Sequence, residues 1–145
     1  MTTLTLDAAQ TIVAAALKYA GEHKLNPLAI VVLDARGAYR ALAAQDGTSL
    51  KRSDVAHGKA YGAIALGMGS RSLHKRAKEQ AYFIAAVGQT LEGNLIPVPG
   101  GVLIRDAAGV LLGAVGISGD TSDNDEAAAM AGIAAASLKG DPGAD

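Results

Sequence analysis

The residues whose types and spacing could carry chemistry lie mainly in one stretch, DVAHGKAYGAIALGMGSRS, at residues 54–72. At helical spacing Asp54, His57 and Tyr61 fall three and four residues apart, so they share one face of a helix. An aspartate on that face could hold one imidazole nitrogen and leave the other free for a proton or a metal. His57 is therefore the candidate acid or base, with Asp54 as its orienting group and Tyr61 as a ligand-binding neighbour. The alternative is a histidine that lies at the surface or only pairs helices.

Lys59 belongs to a different face of the same helix. It is two residues from His57 and projects about 200° away from it, so the two do not easily serve one pocket in one subunit. Gly58-Lys59 resembles the end of a phosphate-binding loop, but Ala60 stands where Ser or Thr would hold the metal, and Ser53 stands where the first Gly belongs. A nucleotide loop is thus excluded, and Lys59 stays a candidate ligand-binding residue.

The segment PVPGGVLIRD supplies a second group of candidates. Gly100 and Gly101 permit backbone shapes closed to other residues, and their amides could contact a ligand or steady an anion. Arg105 could provide the same stabilisation as a side chain. For the two glycines the alternative is a strained turn without a ligand.

The segment GAVGISGDTSDNDE places glycines three apart, which invites close approach by a helix, a ligand or another subunit. Four acidic residues follow beside a predicted helix start, where Asp123 and Glu126 form a capping-box pattern. Capping accounts for two acids, and the surplus could bind a divalent cation or an arginine from a neighbouring subunit. Asp120 and Glu126 are the ligand-binding candidates here, and no metal site is predicted apart from His57 as a ligand to haem.

Charge and composition limit the classes of function. The net charge is -1, which gives no general attraction to nucleic acid or to an anionic membrane. Seven of the 13 Lys and Arg lie between Lys51 and Lys78, which predicts a basic surface that is either simply solvated or binds an anion. There is no cysteine, so disulfides and thiolate sites are excluded. No signal segment or membrane span is recognised, and a cytoplasmic location is expected.

The elements that must position these residues follow from periodicity and turn residues. A helix capped by Thr5 runs to about Glu22, and a hairpin follows with its turn at Asp34–Gly37. A helix opened by Ser49 or Ser53 runs to Gly67, and a basic helical region then extends to Leu91 with a break near Glu79. A second hairpin turns at Asp106–Gly109, and an Ala-rich helix continues to Lys139.

The order α-β-β-α-α-β-β-α defines the class as α+β, a mainly antiparallel sheet built from two β-hairpins and flanked by helices. We expect a single domain over residues 1–139 and a flexible tail over residues 140–145. The Ala- and Gly-rich helices offer flat faces that favour a homo-oligomer.

These motifs together resemble the GlcG/HbpS family of haem-binding proteins, which is related to the C-terminal domain of PduO-type proteins. The resemblance rests on VVLDARG, HGKAYGA, PGGVLI and GAVGISG, and on Asp125-Glu126 followed by a helix with Gly132. It implies an antiparallel sheet flanked by helices, a symmetric oligomer between a tetramer and an octamer, and haem as the cofactor.

Three functions follow as hypotheses. The first is a small-ligand-binding protein that takes haem, with His57 as axial ligand or pocket base near the Gly100-Gly101 turn, with or without a second subunit. The second is a lyase, isomerase or hydrolase acting on a small organic acid, in which His57 moves a proton and Arg105 or the glycine amides hold the anion. The third is a structural assembly protein without a ligand.

Overall fold

The computed structural model describes residues 3–145, and the first two residues of the predicted domain lie outside them. Five helices and five strands are found in this range. In chain order they are α1 (Leu6–Glu22), β1 (Ala29–Asp34), β2 (Tyr39–Ala44), α2 (Arg52–Leu66), α3 (Ser70–Glu79), α4 (Ala81–Thr90), β3 (Gly101–Arg105), β4 (Leu111–Ser118), α5 (Ser122–Ala135) and β5 (Lys139–Asp141).

The predicted α+β class and the two hairpins are confirmed. The strands form one sheet in the order β2-β1-β4-β3-β5, and every neighbouring pair is antiparallel. Both turns have the expected form: the Gly37 amide bonds the Asp34 carbonyl and the Gly109 amide bonds the Asp106 carbonyl. Both glycines have positive φ, +85° and +84°, which is the conformation that a glycine-closed type I turn requires.

One face of the sheet is covered by α1 and α5. Thr5 caps α1 by accepting a hydrogen bond from the Ala8 amide, and the helix then presents an apolar stripe that includes Ile12 and Ala16. Alternate residues of the central strands, such as Ile30 and Ile117, pack beneath it in the main core. Because β1 is buried on both faces, it reads as a continuous apolar run rather than an alternating one.

The opposite face is covered by α2, whose backbone lies very close to the sheet. A Cβ at Gly116 of β4 would be 1.9 Å from the carbonyl oxygen of Ala56. Only glycine permits this spacing, which confirms the close approach expected from the glycine density of β4. Ala56, Ala60 and Ala63 form the contact face of the helix and fix α2 as a rigid support for its remaining side chains.

Helix boundaries differ from the predictions at two places. Neither Ser49 nor Ser53 opens α2: the helix starts at Arg52 after Lys51, which makes no side-chain capping bond. The last helix ends at Ala135 rather than at Lys139, because Ser137 adopts a positive φ and the chain turns into β5. The expected break near Glu79 is confirmed, since Gln80 separates α3 from α4 with φ -140°.

The C-terminal segment beyond β5 lies against the start of α3. The Arg71 amide bonds the Pro142 carbonyl at 3.2 Å, and the Ala144 amide bonds the Ser72 hydroxyl at 2.9 Å. The flexibility expected of residues 140–145 stays a prediction. In the described part of the chain no helix combines the length and the apolar character that crossing a membrane requires, and the cytoplasmic location also stays a prediction.

Candidate functional site

His57 lies on the flank of α2 that faces β2, between two tyrosine rings. The Tyr39 ring centroid is 5.1 Å from that of His57 with 23° between the planes, and the Tyr61 centroid is 5.3 Å away at 31°. Tyr61 packs beneath the first hairpin turn, where its Cε2 lies 2.9 Å from the position of a Cβ on Gly37. The turn glycine therefore makes room for the ring that supports the histidine.

Asp54 does not orient His57, contrary to the sequence prediction. Its carboxylate bonds Lys51 at 3.0 Å in an exposed pair one turn away. Within residues 3–145 neither ring nitrogen of His57 has a hydrogen-bond partner, and the side chain is half-buried. The imidazole is thus positioned by its contacts with the two rings, and its nitrogens are left available to a ligand.

The surface round His57 is apolar and open. Tyr39 is 58% exposed and Leu42 is 51% exposed, and both belong to the edge strand β2. Their partners in the register are Leu33 and Val31, whose side chains point to the α2 side of the sheet. Tyr39, Leu42, His57 and Tyr61 therefore form one surface, which we call the aromatic surface.

Lys59 lies on the other flank of α2 and is buried, with only 2% of the side chain exposed. Its Nζ donates to the Ile117 carbonyl at 2.9 Å and to the Asp125 carboxylate at 3.1 Å. Burial lowers the pKa of Lys59 and raises that of Asp125, and the attraction between the two charges opposes both shifts. The pair joins the helix on one face of the sheet to the start of α5 on the other.

Gly100 and Gly101 pack directly on Lys59. A Cβ at Gly100 would lie 2.8 Å from the lysine Nζ, and one at Gly101 would lie 2.3 Å from its carbonyl oxygen. The Gly101 amide donates to the Ser70 hydroxyl at 2.7 Å, and the Gly100 carbonyl accepts from the Ile117 amide at 3.0 Å. The turn therefore closes over a lysine, and it lies on the opposite flank of α2 from His57 instead of beside it.

Asp120 is a structural cap. One carboxylate oxygen accepts from the Asn26 amide at 2.8 Å, and the other accepts from the Thr121 amide and the Asn124 side chain. The hydrogen bond from Asn124, followed by those from the two amides, lowers the pKa of Asp120. The Asp120 amide in turn donates to Asp125 at 3.0 Å and so completes that carboxylate's contacts.

Glu126 belongs to a partly buried ion-pair network instead of the predicted capping box, because Thr121 is the residue that caps α5. Arg71 donates to Glu126 at 3.0 Å and 3.1 Å and also contacts Asp123 and Asp145. These bonds, led by the one to Glu126, raise the pKa of Arg71.

Arg105 lies apart from the other candidates, at the far end of β3. It pairs with Asp141 at 3.3 Å and donates to the Gly109 carbonyl. The structure thus brings Lys59, Gly100, Gly101 and Asp120 together and separates them from both Arg105 and His57.

Three residues with defined roles were not assigned them from sequence: Tyr39, Arg71 and Asp125. Tyr39 could have been found from its position after the hairpin turn, since strand residues there reach the adjoining helix. No sequence signal joins Lys59 to Asp125, because the two lie 66 residues apart on different faces of the sheet.

The family model described as haem degrading protein HbpS-like matches residues 4–134. No curated protein sequence matches the chain.

Solved structures show the same architecture. Protein ORFY of Klebsiella pneumoniae has a TM-score of 0.83 at 26% identity, over 94% of this chain and 92% of that chain. A double mutant of Streptomyces reticuli HbpS has a TM-score of 0.77 at 27% identity, over 92% and 87%. A structure described as a PduOC–haem complex has a TM-score of 0.83 at 24% identity, over 94% and 96%, and at that identity the likeness concerns the fold.

Proposed function

The chain belongs to the HbpS-like family, and we propose that it binds haem at the aromatic surface, with His57 as the axial ligand. The supporting observation is the half-buried imidazole, which stacks on Tyr39, contacts the tilted ring of Tyr61, and has no hydrogen-bond partner within residues 3–145. Histidine imidazole is one of the side chains that serve as axial ligands of haem iron. A ring positioned by ring contacts alone can turn a nitrogen toward a ligand without breaking a hydrogen bond in the protein.

The residues present fit one side of a haem group. The chain has only four tyrosines and one phenylalanine, yet two of the tyrosines flank His57. Aromatic rings and the exposed Leu42 supply the flat apolar contact that a macrocycle needs. When bound, the haem would supply an iron centre for redox or oxygen chemistry, and this chain's residues would hold it, ligate it and exclude water from one face.

A second copy of the chain would supply the opposite wall. The aromatic surface lies on β2, an edge strand with an open side, and its apolar residues are exposed in the single chain. Edge strands and apolar patches are both common at subunit contacts. A homo-oligomer, from tetramer to octamer, is therefore part of the proposal.

Acid–base catalysis by His57 was predicted to need an orienting aspartate and an anion-binding arginine, and neither lies beside the imidazole. Asp54 pairs with Lys51 and Arg105 pairs with Asp141, so neither accompanies the imidazole. This geometry favours ligand binding over proton transfer at His57.

Haem titration followed by the Soret band tests the proposal. We expect saturable binding by the wild-type protein and a loss of affinity of roughly tenfold or more in His57→Ala, equivalent to about 1.4 kcal/mol or more. The matched control is His23→Ala, because His23 also stacks on a tyrosine, Tyr19, with centroids 3.8 Å apart. That variant is expected to bind as the wild type does.

Equal affinity in His57→Ala and the wild type would overturn the assignment of the ligand. Equal loss in His57→Ala and His23→Ala would show that haem adsorbs to histidines without a specific site. Tyr39→Ala gives a further check, since it removes one stacking wall and leaves the imidazole in place.

A further inference from the structure

We propose that a cleft between α3 and the start of α5 binds a small dicarboxylate, and that the Asp145 carboxylate of the same chain competes for the position. The cleft has a volume of about 380 Å³. The lining residues used below are Arg71, Lys75, Lys78, Val98, Pro99, Asp123 and Asp145. None of them belongs to the aromatic surface, so the inference does not depend on haem binding.

The cationic wall of the cleft comes from one face of α3. Arg71, Lys75 and Lys78 are spaced four and three residues apart, so they follow one another along the helix at about 6 Å and 4.5 Å of rise. Lys78 has no ion-pair partner within residues 3–145, and Lys75 makes only a 3.9 Å contact to exposed Glu79. This row of charge is therefore mostly uncompensated beyond Arg71.

A carboxylate already occupies the Arg71 end of the row. Nη1 of Arg71 lies 3.2 Å from both carboxylate oxygens of Asp145. The segment that carries Asp145 is placed by hydrogen bonds to the Arg71 amide and to the Ser72 hydroxyl. Asp145 itself is 75% exposed, so water competes for its pair with Arg71 and the contact is weak enough to be exchanged.

The other carboxylates on Arg71 stay in place when Asp145 leaves. Glu126 and Asp123 are anchored on α5, and Asp123 is the carboxylate of α5 that lines the cleft. Withdrawal of Asp145 therefore leaves the three cations Arg71, Lys75 and Lys78 against the two carboxylates of Asp123 and Glu126, which is still a net attraction for an incoming anion.

The remaining lining of the cleft favours a ligand that has an apolar carbon chain between its two charged groups. Val98 and Pro99 supply an apolar wall of the cleft. A dicarboxylate that takes the position of Asp145 on Arg71 would lay its methylene groups on that wall. Its second carboxylate would then reach Lys75 or Lys78, which a monocarboxylate cannot do.

Calorimetric titration with glutarate tests this inference on the full chain at a constant ionic strength of about 0.1 M. We expect Asp145→Asn to tighten glutarate binding roughly three- to tenfold, because removal of a competing group raises the fraction of open clefts. Lys78→Gln is expected to weaken binding severalfold. The control Asp46→Asn makes the same change in net charge at an exposed site away from the cleft and should leave the affinity unchanged.

Butyrate and pyrophosphate complete the test. Weaker binding of butyrate than of glutarate supports a site for two charges, whereas equal binding overturns it. Pyrophosphate binding tighter than glutarate would overturn the organic class. Unchanged or weaker glutarate binding in Asp145→Asn would overturn the competition, and no binding of glutarate to any variant would overturn the site.

Discussion

Two ion-pair sites lie on the first turns of the same helix, α5, and they differ in burial and in the elements that they connect. Asp125 turns inward to Lys59, and the two side chains are 1% and 2% exposed. Asp123 and Glu126, on either side of the position in sequence, turn outward to Arg71, which is 21% exposed. The adjacent residues Asp125 and Glu126 thus belong to a fully buried ion pair and to a partly exposed one.

The difference teaches which of the two sites the fold depends on. In water an ion pair gains little because solvent screens it, whereas removal of one partner from a buried pair leaves a charge without solvation. The buried pair also connects the layers on opposite faces of the sheet, since Lys59 is on α2 and Asp125 on α5. We therefore expect the inner pair to control folding and the outer network to be free for exchange with ligands.

The largest expected effect is that of Lys59→Met, which keeps an apolar stem but removes the charge. It leaves Asp125 buried and unpaired, so we expect a loss of about 3–5 kcal/mol in the free energy of unfolding by urea. The double variant Lys59→Met, Asp125→Asn should recover part of this loss, because no buried charge remains. A loss below about 1 kcal/mol in the single variant would show that the pair is solvated.

How far the sequence predicts this arrangement differs between the fold and the site. The hairpin turns at Asp34–Gly37 and Asp106–Gly109 are local, so residue types alone specify them. The close packing of α2 on Gly116 is also predictable, because a high density of glycine in a strand indicates that another element approaches its backbone closely. These features account for the correct class and for most helix and strand boundaries.

The site was less predictable because its contacts join distant segments. Helical spacing placed Asp54 beside His57, yet Lys51 is an equally near neighbour and carries the opposite charge. The spacing correctly separated Lys59 from His57, but no local pattern shows that Asp125 meets Lys59. For Arg71 the sequence indicates only a basic helix face. Its three acidic partners lie more than 50 residues away, so no local pattern predicts the contacts.

Asp120 is an intermediate case, half-buried and bonded through its carboxylate to three donors. Its folded pKa is lowered from 3.8, so its contribution is present above that value and is lost as the pH falls through the folded pKa. We expect Asp120→Asn to cost about 1 kcal/mol at neutral pH, because the amide keeps one acceptor and loses the charge. The difference in the free energy of unfolding between the variant and the wild type should become smaller below pH 3.8. A carboxyl NMR titration of Asp120 with a midpoint at or above that value would contradict the assignment.

The smallest effect is expected for Arg71→Met, the partly exposed counterpart of Lys59→Met. The change removes a cation from three carboxylates that all keep contact with water, so we expect a cost of about 1 kcal/mol or less at low salt. Raising the salt to about 1 M shortens the screening length to about 3 Å and should remove most of that cost. The cost of Lys59→Met should stay constant over the same series, since salt does not reach the buried pair. Parallel salt dependence in the two variants would mean that the inner pair is as wet as the outer one, and the distinction between them would fail.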